Sequence, residues 1–167
     1  MSVRVTGRPE MPEGYGVVDT GPMLPWETIE ERLVDAVNYW LSTARPDGRP
    51  HVVPRWGVWI DEKFFYDGSP ATRHARNLEV NPHCAMHLED GTAVTIVEGV
   101  STVPSPVDGE LGVRLSDEFR RKYAALGYAP EPTAWSDESA GGLHVLAPTS
   151  AIAWSVFPKD LTRFEFD

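Results

Sequence analysis

The sequence predicts a mainly β, α+β domain: a small antiparallel β-barrel with short helices outside it. Three observations predict this. Runs of aromatic and β-branched residues recur along the chain, separated by turn signals. Other stretches repeat apolar residues at helical spacing. The chain has 167 residues, 41% hydrophobic and 24% charged, which suits one globular domain with a real core.

Residues 1–25 hold many Gly and Pro and little periodicity, and read as a leader lying over the surface of a single domain spanning 26–167. In "WETIEERLVDAV" the residues Ile29, Leu33, Ala36, Val37 and Trp40 predict a helix at about 26–38, with acids in its first turns favouring the dipole. "YWLSTARPDGRPHVVPRWGVWI" reads as a hairpin turning at Pro46-Asp47-Gly48, where proline presets φ and glycine tolerates positive φ. "KFFYDG" is a third strand, reached through a tight Asp61-Glu62 turn. A short helix over 70–80 leads to a second hairpin, "HCAMHLEDGTAVTIVEGVSTV", turning at Asp90-Gly91. Leu111, Leu115, Phe119, Tyr123 and Leu126 form one stripe of a helix over 107–127. After a loop, "LHVLAPTSAIAWSVF" and "LTRFEFD" close the chain as two strands.

Lys and Arg number 15 against 25 Asp and Glu, a formal net charge of −10. That argues against general nucleic-acid binding and against docking on an anionic membrane. With no apolar signal core and no long apolar run, a cytoplasmic protein is expected. Cys84 is the only cysteine, which rules out an internal disulfide; its alternation with Met86 and Leu88 reads as core. His83 and His87 share a strand face, but no third or fourth ligand accompanies them, so no metal site is expected.

Against this acidic background, "GSPATRHARNLEVNP" crowds Arg73, His74 and Arg76 together. Ser69 is a good N-cap and Pro70 suits the first helical position, so residues 69–72 are expected to present free N–H groups. A helix start of this kind favours anions, and the arginine fork suits phosphate. Two arginines on a short helix also suit a merely solvated face. Among six tryptophans Trp56 is expected nearest a ligand, with Trp154 second.

At these residues the sequence resembles the pyridoxamine 5′-phosphate oxidase-like, FMN-binding split-barrel superfamily. The likeness runs from about Trp26 to Val103 through "STARPDGRPHVVPRWGVWID", "KFFYDGSPATRHARNLEVNPHCAMHLEDG" and "VEGVSTV", and is most specific at Thr72–Leu78 with Asn81-Pro82. The resemblance implies a six-stranded antiparallel split barrel, a homodimer, and a flavin-type cofactor in clefts between subunits. It places Thr72, Arg73 and His74 against a phosphate, and Gly68, Ser69 and Arg76 among the cofactor-binding residues. It lays Val53, Pro54, Arg55 and Trp56 along the ring.

Two positions depart from the family's pattern. His74 stands where lysine is usual, and Arg55 where an apolar residue is usual. The ending "PKDLTRFEFD" lacks the substrate-binding Arg/His pattern of true pyridoxamine 5′-phosphate oxidases. The closer likeness is to the actinobacterial branch, whose members use FMN or the deazaflavin coenzyme F420. The implied function is a flavin-type oxidoreductase acting on a small organic substrate. The alternatives are a carrier of flavin, deazaflavin or haem without turnover, or a fold that has lost its ligand. No side chain stands out as general acid or base; His51 and Tyr66 are the candidates.

Overall fold

The computed structural model describes residues 3–15, 20–104, 106–137 and 142–167. The described residues contain nine strands: β1 (Val3–Gly7), β2 (Tyr39–Ala44), β3 (Pro50–Arg55), β4 (Gly57–Ile60), β5 (Lys63–Gly68), β6 (His83–His87), β7 (Val94–Thr102), β8 (Gly142–Trp154) and β9 (Thr162–Phe166). The helices are α1 (Trp26–Asp35), α2 (Arg73–Val80) and α3 (Gly109–Tyr123), the last followed by a 3-10 turn at Ala124–Leu126.

All pairings are antiparallel. β3 pairs with β2, β2 with β6, β6 with β7, β7 with β8, β8 with β5, and β5 with β4. β3 and β4 form one run broken at Trp56, so these contacts close a six-stranded barrel of the expected type. β8 is shared: Gly142–Leu146 pairs with β5, while Ser150–Ala153 pairs with β9. Between the halves the β7–β8 register shifts at Glu98/Gly99, and such a bulge bends the strand.

The turn chemistry places the hairpins as read from sequence. Asp61 and Glu62 both have positive φ, 51° and 57°, the conformation that suits a two-residue hairpin. The break at Gly57 needs glycine for another reason: a Cβ there would lie 2.3 Å from the Phe64 ring and 2.6 Å from the Phe65 carbonyl.

Four expectations are corrected. α1 ends at Asp35 rather than 38, and Trp40 belongs to β2. Tyr39, Leu41 and Thr43 alternate into the core, and that period-2 burial outcompetes a longer helix. α2 starts at Arg73 rather than 70, because the Ser69 hydroxyl accepts from Ala71 N (3.2 Å) in a preceding turn and Thr72 is the N-cap. α3 occupies 109–123, and Leu126, expected on its buried stripe, is exposed beyond it. Within the expected leader, Val3–Gly7 is a strand paired with β9.

Two apolar clusters fill the structure. One lies inside the barrel, from Trp26, Ile29 and Leu33 through Tyr39, Leu41, Phe64 and Met86 to Phe164 and Phe166. The second packs α3 on the barrel wall through Leu115, Phe119, Tyr123 and Trp135 against Val58, Ile60, Phe65 and Leu143. Cys84 is buried in the first cluster, where desolvation pushes its thiol up to about 12. Among the described residues, no helix is long and apolar enough to cross a membrane.

Candidate functional site

The site is built where α2 crosses the end of the barrel. Asn77 anchors the helix to β2 through a 2.9 Å bond from Nδ2 to Thr43 Oγ1. This docking turns His74, Ala75, Asn77 and Leu78 inward and leaves Arg73 and Arg76 exposed. The basic cluster read in sequence is therefore split across two faces of one helix.

Arg73 belongs to the outer group. It and Arg45, in the β2–β3 turn, both act electrostatically on His51, lowering that imidazole's pKa after desolvation has done so. His51 Nδ1 and Arg45 Nε are buried without a hydrogen-bond partner. The first-turn N–H groups of Arg73 and His74 have no intrahelical acceptor by helix geometry. Thr72 Oγ1 accepts from Ala75 N at 3.4 Å and meets His74 Nε2 at 3.3 Å.

His74 belongs to the inner group and is only 2% exposed. Its ring lies 6.2 Å from Tyr66 and 5.9 Å from His144, and Tyr66 stacks on His144 at 5.1 Å. Burial, then the Arg55 guanidinium, then His144 and His51 drive the His74 pKa down to about 4, so the imidazole is neutral at pH 7. His144 is shifted down by desolvation and Arg55, and its Nε2 has no partner. The Tyr66 hydroxyl is buried against Ser101 Oγ (2.7 Å), and that burial raises its pKa, so the phenol stays protonated near neutrality and is a poorer acid than a free tyrosine.

Arg55 links this group to an open cleft. Its Nη2 donates to the Asp67 carbonyl, while its Nε is buried and unpaired. Gly68 makes room for it: a Cβ there would lie 2.9 Å from Arg55 Nη2 and 3.2 Å from His74 Nε2. The cleft, about 320 Å³, is lined by Pro54, Arg55, Trp56, Asp67, Gly68, Phe119 and Tyr128. That volume lies at the lower end of the about 300–1,000 Å³ typical of small-molecule sites. Trp56 stacks on Tyr123 with centroids 4.9 Å apart, and the Tyr128 hydroxyl donates to Asp67 Oδ2.

Of the expected ring-side residues, Pro54, Arg55 and Trp56 meet in one cleft, joined by Gly68 from the expected cofactor-binding set, while Val53 packs against the barrel core. Trp154 stands at the far end of β8, edge-on to Phe157. Sequence reasoning missed Arg45, Asp67, Phe119, Tyr128 and His144. Their roles depend on tertiary pairing, though Asp67 adjoins the Gly68-Ser69-Pro70 signal. His83 is exposed, and His87 stacks on Trp40 and is not among the residues lining the cleft. Among the described residues, no group of three His, Cys, Asp or Glu side chains is arranged to hold a metal.

Known proteins share this framework. A solved F420 reductase is 27% identical, with a TM-score of 0.53, covering 84% of this chain and 98% of its own. The haem storage protein HutZ from Vibrio cholerae is 26% identical, with a TM-score of 0.54, covering 73% and 88%. A haem-binding protein from Mycobacterium smegmatis, 17% identical with a TM-score of 0.63 over 86% of this chain and 59% of its own, shares the fold. No curated protein matches. The family model described as pyridoxamine 5′-phosphate oxidase matches residues 26–146, and the chain belongs to that family.

Proposed function

We propose that the protein is a flavin-type oxidoreductase that holds FMN or coenzyme F420 and acts on a small organic molecule, as a homodimer in the cytoplasm. The observation that carries this reading is the adjacency of two features. An aromatic-walled cleft with an unpaired guanidinium nitrogen meets the first turn of α2 through Gly68, which lines the cleft and abuts His74, and Arg73, His51 and Arg45 interact electrostatically at that helix start. Unpaired buried donors fit a ligand rich in acceptors. The similarity to an F420 reductase points the same way.

The bound group would supply hydride transfer, and the chain supplies orientation and electrostatics. Arg73, Arg45 and the α2 start would hold the phosphate by charge-assisted bonds. Arg55 Nε would donate to an acceptor on the ring, and Trp56 would offer an apolar wall. His74, neutral at pH 7, would contribute a hydrogen bond rather than charge, which distinguishes it from the family's lysine.

The carrier reading keeps the same clamp without turnover. Two neutral buried imidazoles, one with an unpaired Nε2, and the similarity to a haem storage protein support haem as its ligand.

Fluorescence titrations with FMN and with coenzyme F420, and a Soret-band titration with hemin, separate these readings. The oxidoreductase reading expects FMN or F420 to bind in the micromolar range or tighter, and reduced cofactor to turn over with an acceptor. Arg73→Ala is expected to weaken that binding by about 1.5–3 kcal/mol, the scale of a charged hydrogen bond. Hemin binding alone favours the carrier. Failure of both FMN and F420 to bind overturns the leading reading.

A further inference from the structure

The break between β3 and β4 is gripped by side chains that no part of the proposed clamp uses. Tyr123 Oη accepts from Gly57 N at 2.9 Å, and lies 2.8 Å from both the Gly57 and Val37 carbonyls, to one of which its proton goes. Lys122 Nζ donates to the Tyr39 hydroxyl at 2.6 Å and to the Gly57 carbonyl at 3.3 Å, and lies 4.8 Å over the Tyr39 ring. Tyr39 in turn donates to the Leu33 carbonyl. One residue of the barrel, Gly57, is thus held through both of its backbone groups by α3, and through Lys122 and Tyr39 is linked to β2 and α1.

Trp56 immediately precedes that residue. It is 37% exposed and lines the cleft, and the ring it stacks on is that of Tyr123, at an interplanar angle of 13°. The same two consecutive residues of α3 therefore fix the backbone beside Trp56 and support one face of its indole.

We propose that Lys122 and Tyr123 are positioning residues for the cleft, holding the Trp56–Gly57 break so that the indole stands as its wall. This rests on the reading of the cleft as the cofactor site. It assigns to α3 a role in ligand affinity as well as in packing. Desolvation, then Arg121, lowers the Lys122 pKa to about 7, opposed by Glu118 and Asp35. The remaining groups facing it are the Tyr39 and Tyr123 hydroxyls, both raised by burial. As pH rises through about 7 the lysine becomes neutral, its hydrogen bonds lose their charge assistance, and its hold on Gly57 weakens.

The test reads Trp56 directly. Acrylamide quenching is measured for wild type, Lys122→Met, Lys122→Arg and Tyr123→Phe, each against its own Trp56→Phe partner, from pH 5.5 to 8.5. Wild-type Trp56 quenching is expected to rise with a midpoint near pH 7. Lys122→Met is expected to show high quenching at every pH, and Lys122→Arg low quenching at every pH. Tyr123→Phe keeps the ring and loses only the hydroxyl, so it tests the idea even if Lys122→Met folds poorly; it too is expected to raise quenching. Both losses are expected to weaken FMN or F420 binding about tenfold. Trp56 quenching that is flat with pH and equal in all four proteins overturns the proposal. Should neither cofactor bind wild type, the functional reading fails by itself, while the quenching result still decides the positioning role.

Discussion

The two halves of β8 are the same strand in two different environments. At the β9 end, Ala151 and Ala153 pack with Phe164, which lies edge-on to Trp26 at 5.2 Å. Polar groups there are largely answered: Asp160 accepts from Ser155 N and Val156 N, and Thr162 Oγ1 both accepts from Leu24 N and donates to Asp160 O. Its unpaired buried atoms, Trp26 Nε1 and Thr95 Oγ1, belong to neutral groups. At the β5 end, the unpaired atoms include Arg55 Nε and His144 Nε2 beside the neutral Asn77 Oδ1 of α2, and His74 is buried among them. Leaving a buried charged group such as the Arg55 guanidinium short of a partner costs more than leaving a neutral one. The β9 end is organised for stability, and the β5 end keeps polar groups whose partner a ligand would supply.

The sharpest way to break this contrast is to damage the apolar end alone. Phe164→Ala deletes a fully buried ring and is expected to lower stability by about 3–5 kcal/mol in urea denaturation. Cofactor affinity, measured where the variant is folded, is expected to stay within twofold of wild type, because the cleft lies at the other end of the barrel. A loss of affinity that tracks the loss of stability would mean that the two ends are one cooperative site.

A second prediction uses pH and belongs to the β5 end. His74 has its folded pKa lowered from 6.5 to about 4, so between those values the unfolded chain binds the extra proton and the folded one does not. Stability from this group is complete above pH 6.5 and drains away as pH falls towards 4, by an amount on the order of 2–3 kcal/mol. His144 and His51 shift in the same direction and add to the slope. Thermal unfolding from pH 7.5 to 4 is expected to show this loss, and His74→Gln is expected to flatten it. A bound phosphate would favour the protonated ring, so saturating cofactor is expected to reduce the slope. An unchanged slope in His74→Gln would place the titration elsewhere.

How much of this was legible in sequence follows the range of the interactions. The hairpins could be read because their signals are local: Pro46-Asp47-Gly48, Asp61-Glu62 and Asp90-Gly91 sit between β-forming runs. The start of α2 was misplaced because Ser69-Pro70 and Thr72 offer two competing caps, and only the fold shows Ser69 spent on Ala71. β1 gave no signal, since its partner β9 lies at the other end of the chain. The basic helix start and the cleft-lining residues Pro54, Arg55, Trp56 and Gly68 were legible through local chemistry and resemblance together. That His74 faces inward and Arg73 outward was not legible. A helix this short can dock on either face, and the Asn77–Thr43 bond decides which.

The smallest expected effect is the most discriminating. His144 is an isolated histidine in a strand, unremarkable until the β5–β8 pairing sets it opposite Tyr66 and two residues from the Gly68–Gly142 pair. A residue kept for stability would be missed when replaced. His144→Phe preserves a flat ring to stack on Tyr66 and removes the unpaired Nε2, so stability is expected to change by less than about 1 kcal/mol, and towards greater stability. Binding is expected to respond instead. The variant takes away one of three neighbouring nitrogen-bearing groups, and the affinity for FMN, F420 or hemin is expected to fall even as the melting temperature holds. A variant that is clearly destabilised yet binds as wild type would show that the imidazole serves the barrel, and would erase the distinction between the two ends of β8.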